Sequence, residues 1–308
     1  MLPKHGLGAE TAALLAMSAA AVFGLWKWET RCDYEILPVD MFRNKALAAL
    51  FTLAILGGFT MFSLLFYAPL LFQGGFGMSP KDAGMMMVTP LVVFITIGSI
   101  VNGRIVTRLK NANLMLYVGF AFLAVSCLGV VVATHTMPRS ILLAIMLIGG
   151  LGLGFVMPNL NVFAQQTAGR AHLGIATALL QSLRMIGGMI GTALTGTLIS
   201  HLYASGVNLA LEKDHAMRWT GDLSDPQILI NRDGQQALLS QLAATGHDGA
   251  MLLEAAREAL VAAIHIGLAL AAVVAVLSLW QSRRVPPVRL KGPQEPIILA
   301  ERSGEAKA

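Results

Sequence analysis

Arg184 is the residue whose position most strongly indicates chemistry, because it lies in a long apolar stretch. The stretch from about Ala171 to Leu202 contains no other Asp, Glu, Lys or Arg. A guanidinium offers several N–H donors and stays charged at any physiological pH. A charge inside a spanning helix costs roughly 2.5–3.5 kcal/mol on insertion scales. Arg184 is therefore expected either to bind a carboxylate, a substrate anion or helix carbonyls, or to fix helix packing at a water-filled mouth.

Helical spacing places Arg184 on a face that it shares with small and polar residues. The members of this face are Thr177, Gln181, Arg184, Gly188, Gly191 and Thr195. The first half of the face is polar and the second half is small, and Gly187-x-x-x-Gly191 fits the pattern of closely packed membrane helices. The face thus predicts a substrate cavity or a helix interface, and both interpretations stay open.

A second polar and small cluster follows a glycine run. The segment from Gly149 to Asn161 contains four more glycines or prolines, among them Gly150, Gly154 and Pro158. The order Gly-x-Gly-x-x-Gly is absent and no strand precedes the run, which excludes a dinucleotide loop. We expect Gly150 and Gly154 to form a packing face, Pro158 to kink the helix, and Asn159 with Asn161 to satisfy the freed backbone groups.

Clusters of residues for acid–base, nucleophilic or metal chemistry are missing from the apolar stretches. The acids Asp82 and Glu258 fall at their edges, and His265 is the only deep histidine. The two cysteines, Cys32 and Cys127, lie in different kinds of segment, which argues against a disulfide or metal framework. We therefore expect no enzyme activity, no cofactor and no metal site.

The elements that position these residues are predicted to be membrane spans. Of the 308 residues, 56% are hydrophobic and only 13% are charged, against about 25% charged in soluble domains. A helix needs about 20 apolar residues to cross the hydrocarbon. This criterion predicts an all-α polytopic membrane protein with about seven spans, at Ala9–Trp26, Ala46–Leu71, Ala83–Asn102, Leu114–Thr134, Ile141–Ala164, Ile175–Leu202 and Ala259–Leu279.

The distribution of basic residues predicts the orientation of these spans. Alternate loops carry the Lys and Arg residues, and such loops remain on the cytoplasmic side. The net charge of +5 is thus explained by membrane orientation, and nucleic acid is not expected as a partner. We expect the N-terminus outside, the C-terminus in the cytoplasm, and the lipid bilayer of the plasma (inner) membrane as the surroundings.

Three regions follow from this topology. Residues 1–45 would hold the first span and a cytoplasmic loop, residues 46–280 a six-helix bundle, and residues 281–308 a disordered, proline-rich tail. Residues 203–258 form the largest loop, which we interpret as a solvated extracytoplasmic connector with short helices at Gln235–Leu242 and Gly249–Leu260. Whether a periplasmic adaptor docks on this loop stays open.

The order of several motifs resembles the major facilitator superfamily. More narrowly, the chain resembles the C-terminal half of a fourteen-span drug:proton antiporter of the multidrug efflux type. The matching segments are Glu29–Asn44, Pro69–Gly84, Gly98–Lys110, Gly150–Pro158 and Leu180–Gly188. Each motif is weak alone, and their order and spacing carry the resemblance.

This resemblance implies proton-driven efflux of small hydrophobic or amphipathic compounds. Superfamily transporters bind substrate between two six-helix halves, so the first span would be a linker helix and the N-terminal half, with its coupling carboxylate, would be a partner. The cytoplasmic gating loop would consist of Gly103, Arg104, Arg108 and Lys110. Thr107 stands where that loop often has an acid, which puts the loop's gating contact in doubt.

Two other interpretations compete with the transporter hypothesis. The chain could be a truncated or split-gene half-transporter that transports nothing alone. A seven-span retinal protein shares the predicted outside N-terminus, but it needs a lysine for its Schiff base in the last span. Ala259–Leu279 has none, which excludes that version of the seven-span class.

Overall fold

Six long helices make up most of the described chain. The computed structural model describes residues 40–106, 108–109, 111–213, 219–223, 225–230, 234–236, 238–240 and 249–286, with isolated helical positions between 13 and 28. Six helices are long and apolar enough to cross a membrane, and these ranges contain no strand. The prediction of an all-α polytopic membrane protein is confirmed. The first predicted span, Ala9–Trp26, lies largely outside the described residues.

The six helices coincide with the last six predicted spans. They are α1 (Lys45–Leu70), α2 (Pro80–Val106), α3 (Asn113–Val131), α4 (Arg139–Ala168), α5 (Leu173–Lys213) and α6 (Gly249–Ser282). A short helix at Asp40–Arg43 precedes α1, and a π-helical turn at Leu71–Gly75 continues it.

Local capping residues explain where several helices begin and end. The side chain of Asn44 accepts hydrogen bonds from two backbone N–H groups of the first turn of α1. Ser79 and Asp82 bond reciprocally at the start of α2, with Ser79 Oγ donating to the carboxylate at 2.7 Å. Gly169 ends α4 with φ of +79°, a left-handed conformation that glycine adopts without a Cβ penalty.

Two central helices hold the bundle together. α4 packs against α2, α3 and α5, while α6 packs against α1, α3 and α5. The contact between α1 and α5 closes the arrangement, and α2 depends almost entirely on α4. Lys45, Arg104, Arg170 and Arg283 stand at helix ends on one side of the bundle, which we name the basic end. The opposite side, named the cap end, carries the described residues between 219 and 240.

The connector between α5 and α6 is shorter and more folded than we expected. α5 continues beyond its predicted end to Lys213, and α6 begins at Gly249. Tyr203, Val207 and Leu211 recur every fourth residue and are all buried, so the apolar face of α5 continues past the membrane-length segment. The predicted short helix at Gly249–Leu260 is the first part of α6. The predicted helix at Gln235–Leu242 is represented by helical residues on both sides of 237.

The large apolar residues described in this connector are packed, not solvated. Trp219, Leu223, Leu229 and Leu238 are buried in one apolar cluster with the ends of α1, α5 and α6. Tyr203 donates a hydrogen bond from its hydroxyl to the carbonyl of Leu223 at 2.7 Å. The interpretation as a solvated connector is therefore wrong for these residues, because burial of their large apolar side chains holds them against the helices.

The start of the tail is also ordered. Val285 is only 4% exposed, and the side-chain nitrogen of Asn113 donates to the carbonyls of Val285 and Pro286 at 2.9 and 3.1 Å. The predicted disorder from residue 281 is wrong up to Pro286, because Asn113 at the start of α3 supplies a donor for these carbonyls. The tail beyond Pro286 lies outside the described residues.

Candidate functional site

Arg184 lies where α1, α4 and α5 meet. Its guanidinium donates one hydrogen bond to Gln181 Oε1 of the same helix and one to Met157 Sδ of α4, the latter at 2.7 Å. Its backbone carbonyl lies against Gly58 of α1, where a Cβ would collide with it. The backbone of Arg184 is thus fixed by α1, while its side chain extends toward α4.

A polar seam continues from Arg184 toward the basic end. On α4, Met157, Asn161 and Gln165 recur every fourth residue and so share one face. Gln165 Nε2 donates to Thr177 Oγ1 of α5 at 2.9 Å. Asn161 lies between these two contacts, and its Oδ1 is buried without a partner among the described residues. The predicted residues Thr177, Gln181 and Arg184 therefore do lie along one seam, opposite α4.

The small half of the predicted face packs against a different helix, α1. A Cβ on Gly187 would collide with the backbone of Ile55, and one on Gly191 would lie 2.7 Å from the carbonyl oxygen of Phe59. Such distances leave no room for any side chain, so the two backbones are in direct contact. The pattern Gly187-x-x-x-Gly191 marks a close helix contact, as its spacing predicts.

The remaining small residues continue the same interface toward the cap end. Gly188 faces the ring of Phe62, and Thr195 Oγ1 bonds with Ser63 Oγ at 3.1 Å. Both hydroxyls are fully buried, which makes this a helix-to-helix bond inside the bundle. Of the predicted face, Gly188, Gly191 and Thr195 are thus placed at the α1–α5 interface. Thr177, Gln181 and Arg184 are placed at the α4–α5 seam.

The glycine run of α4 serves two neighbouring helices. Gly150 and Gly154 lie against the backbone of α2, where a Cβ would come within 2.6 Å and 2.5 Å of carbonyl oxygens. Gly152 similarly meets the carbonyl of Gly119 on α3 at 2.8 Å. α4 can therefore lie close to both α2 and α3, because glycine occupies the contact positions on the two faces of α4 that meet them.

The backbone group freed by Pro158 lies beside a residue that we did not predict. Proline lacks the N–H that would bond the carbonyl four residues earlier, which here belongs to Gly154. Ser99 Oγ of α2 lies 3.3 Å from that carbonyl, and its single proton is shared with the closer carbonyl of Ile95 at 2.8 Å. Asn159 donates to the adjacent carbonyl of Phe155 at 2.8 Å, and the expectation that Asn159 and Asn161 satisfy the freed group stays a prediction. α4 continues as a helix through Pro158 to Ala168.

Asn159 instead forms a buried amide pair with Asn102 of α2. Asn159 Nδ2 donates to Asn102 Oδ1 at 2.8 Å and to the carbonyl of Phe155 at 2.8 Å. The two side chains are 1% and 2% exposed. Asn102 precedes the predicted gating loop, and the sequence analysis did not select it as a site residue. Its spacing from Gly98 and Ser99 could have indicated it, because this spacing puts the three residues on the same face of α2.

The predicted gating loop lies at the basic end. Gly103 has open space around its Cα, and Arg104 and Arg108 are exposed. Thr107 and Lys110 lie outside the described residues. In the described part of the chain, no group of three or more His, Cys, Asp or Glu side chains could hold a metal ion.

This arrangement supports binding better than bond-breaking chemistry. A permanent cation, three amides, a thioether and a hydroxyl line the seam. None of these groups is a nucleophile paired with a base. The seam can supply hydrogen bonds and positive charge to a molecule that enters between α4 and α5.

A family model described as Major Facilitator Superfamily matches residues 7–192. The multidrug transporter protein MdtP of Bacillus subtilis is 27% identical over 203 residues, which are 65% of this chain and 37% of that protein.

Two further relatives carry names of resistance proteins. The methylenomycin A resistance protein of Bacillus subtilis is 32% identical over 58% of this chain and 38% of its own length. The tetracenomycin C resistance and export protein of Streptomyces glaucescens is 30% identical over 64% of this chain and 37% of its own length. The chain therefore spans less than two fifths of the length of each of these relatives.

Proposed function

Because this chain belongs to the major facilitator superfamily, we propose that it is the C-terminal half of a proton-coupled exporter of hydrophobic or amphipathic compounds. The single observation that carries the proposal is the six-helix bundle together with that membership, since superfamily transporters are built from two such halves. The export and resistance names of its relatives support efflux over uptake.

The substrate cavity is proposed to lie along the α4–α5 seam. Thr177, Gln181 and Arg184 would contact substrate, whereas Gly188 and Gly191 hold α5 against α1. The glycine contacts at Gly150 and Gly154, with Pro158 and Asn159, would let α4 and α2 move as one unit. Gly103, Arg104, Arg108 and Lys110 would form the gate at the basic end.

The partner half is proposed to pack on α2 and α5. Among the 18 most apolar consecutive residues of each helix, 25% are buried in α2 and 22% in α5, whereas 44% or more are buried in each of the other four helices. Large apolar side chains such as Ile100, Met185 and Met189 are exposed on these two helices. A second six-helix bundle would cover such faces, and lipid would cover the rest.

The energy source would depend on that partner half. In the six long helices, the acids Asp82, Glu212, Glu254 and Glu258 all lie at the cap end. A carboxylate that carries protons across the membrane must lie within the span. The partner would therefore supply the coupling carboxylate.

A half-transporter without activity of its own is the second candidate. It is favoured by the share of the relatives' length that the chain covers, 37% and 38% for the first two. In this case the chain would fold and insert but would move no substrate until a partner half joined it.

The protein is an integral membrane protein, and we propose the plasma (inner) membrane with the basic end in the cytoplasm. The N-terminus would then be outside and the C-terminus inside. The packed cap end would face outward, where a periplasmic adaptor could contact it.

The test of efflux is dye accumulation in the host. Deletion of the coding sequence should raise accumulation of the neutral dye N-phenyl-1-naphthylamine, and a plasmid copy should lower it again. Nigericin, which collapses the pH gradient, should remove the difference. Equal accumulation in deleted and complemented cells would refute the export function.

The test of the second candidate is transport by the purified chain. Proteoliposomes that contain this chain alone should not move the dye when a pH gradient is applied. Gradient-driven movement by the chain alone would overturn the need for a partner half and would leave the export function intact.

A further inference from the structure

The geometry around Arg184 points to a more specific substrate class. We propose that the α4–α5 seam selects organic anions, and that Arg184 binds the carboxylate or sulfonate group of an amphipathic acid. The inference rests on the proposed export function, because it assigns the substrate's charge at the same site.

The first argument is charge balance. In the six long helices Arg184 is the only Lys or Arg within a predicted span, and the acids of these helices all lie at the cap end. Its two hydrogen-bond partners, Gln181 and Met157, are neutral. Dipoles and thioethers compensate a buried cation only partly. The seam therefore presents net positive charge to whatever enters it.

The second argument is the number of donors that remain. A guanidinium has five N–H groups, and two bonds of Arg184 are accounted for by Gln181 and Met157. The residue is only partly buried, so its guanidinium has donors left for a molecule that enters the seam. A carboxylate can accept two parallel N–H bonds from one guanidinium. Such charge-assisted hydrogen bonds are stronger than bonds between neutral groups.

The third argument is the unpaired acceptor nearby. Asn161 lies one turn beyond Met157 on the same face of α4, and its Oδ1 is buried without a described partner. A buried amide oxygen without a bond is unfavourable. A hydroxyl or N–H group on the same ligand would satisfy it. The seam is thus suited to an acid that also carries a hydrogen-bond donor, and a cation in it would be repelled by Arg184.

The test is binding of two probes that differ in charge. The complete chain in neutral phosphatidylcholine nanodiscs is titrated with dansylglycine, a carboxylate with a sulfonamide N–H, and with its uncharged amide. We expect the carboxylate to bind about tenfold tighter, as for a charge-assisted hydrogen bond. Arg184→Gln should abolish this difference by weakening carboxylate binding alone, and Arg184→Lys should retain part of it.

The control variant removes one positive charge at a position outside the α4–α5 seam. Arg139 is exposed at the cap end of α4, so Arg139→Gln should leave both affinities unchanged. Equal affinity of the two probes for the unaltered chain would overturn the inference without any variant. An equal loss of both probes in Arg184→Gln would also overturn it, because that result indicates a packing role. Dye export by the host is measured separately, so failure of the anion preference and failure of export are distinguishable.

Discussion

At the residue scale, the polar side chains inside this bundle bond to neutral partners. Arg184 bonds to an amide and a thioether, and Asn102 pairs with Asn159. Ser99 donates to the carbonyl of Ile95 and also lies 3.3 Å from the carbonyl that Pro158 leaves open. In hydrocarbon an unsatisfied polar group costs several kcal/mol. These bonds therefore explain why such residues are compatible with membrane helices.

The Asn102–Asn159 pair gives a testable stability prediction. Asn159→Leu should lower the free energy of unfolding by about 1–3 kcal/mol, because it leaves Asn102 buried without a partner. Asn102→Leu together with Asn159→Leu should recover part of this loss, with a coupling near the ~0.6 kcal/mol average for membrane helices. Unfolding by SDS in mixed micelles measures both. Asn208→Leu at an exposed position of α5 is the neutral control, and additive effects of the two changes would contradict the pairing.

At the element scale, glycines decide which helices can approach one another. α5 lies on α1 through Gly187 and Gly191, and α4 lies on α2 through Gly150 and Gly154. Lipid tails are as apolar as leucine, so helix association in membranes relies on close packing more than on the hydrophobic effect. The backbone contacts at these glycines are thus a main source of specific helix arrangement.

The α1–α5 contact can be tested with two glycines of the same helix. Gly187→Ala places a methyl group against the backbone of Ile55, whereas Gly174→Ala meets nothing within 4 Å. We expect the first change to destabilise the bundle by about 1–3 kcal/mol through overpacking. The second should be neutral or slightly stabilising, because alanine favours helix. Thermal unfolding in detergent compares them, and equal midpoints would show that the two helices are not in backbone contact.

At the scale of the whole molecule, the bundle has two large apolar cores, one small apolar cluster and two unlike ends. One core lies toward the basic end and contains Val285, and the other lies toward the cap end and contains Trp219 and Leu229. The long helices α5 and α6, at 41 and 34 residues, exceed the roughly 20 residues that span hydrocarbon. Their extra length supports the packed segment of the cap end.

The proposed orientation predicts which end a membrane-impermeant maleimide reaches. In a background with Cys32→Ser and Cys127→Ala, Gly221→Cys should be labelled in intact spheroplasts, because residue 221 belongs to the cap end. Arg108→Cys should be labelled only after permeabilisation, since the basic end is expected to be cytoplasmic. Both positions are exposed, so access to the residue itself is matched. The reverse labelling pattern would invert the topology.

Much of the candidate site could be predicted because its residues are close in sequence. Gln181 and Arg184 lie on one helix, and the fixed helical period places their side chains together. Ser99 and Asn102 were missed because their partners, Gly154 and Asn159, belong to another helix. No local pattern states which faces of two helices will meet.

The sequence by itself determined the six described spans, the uneven distribution of basic residues and the positions where glycine permits close contact. These properties depend on hydropathy and helical period, which are local. Only the tertiary structure decided that Arg184 reaches Met157, that Ser99 lies beside the carbonyl freed by Pro158, and that Trp219 and Leu229 are buried at the cap end. Each of these depends on the distance between segments far apart in sequence, and that distance is set by packing of the whole bundle.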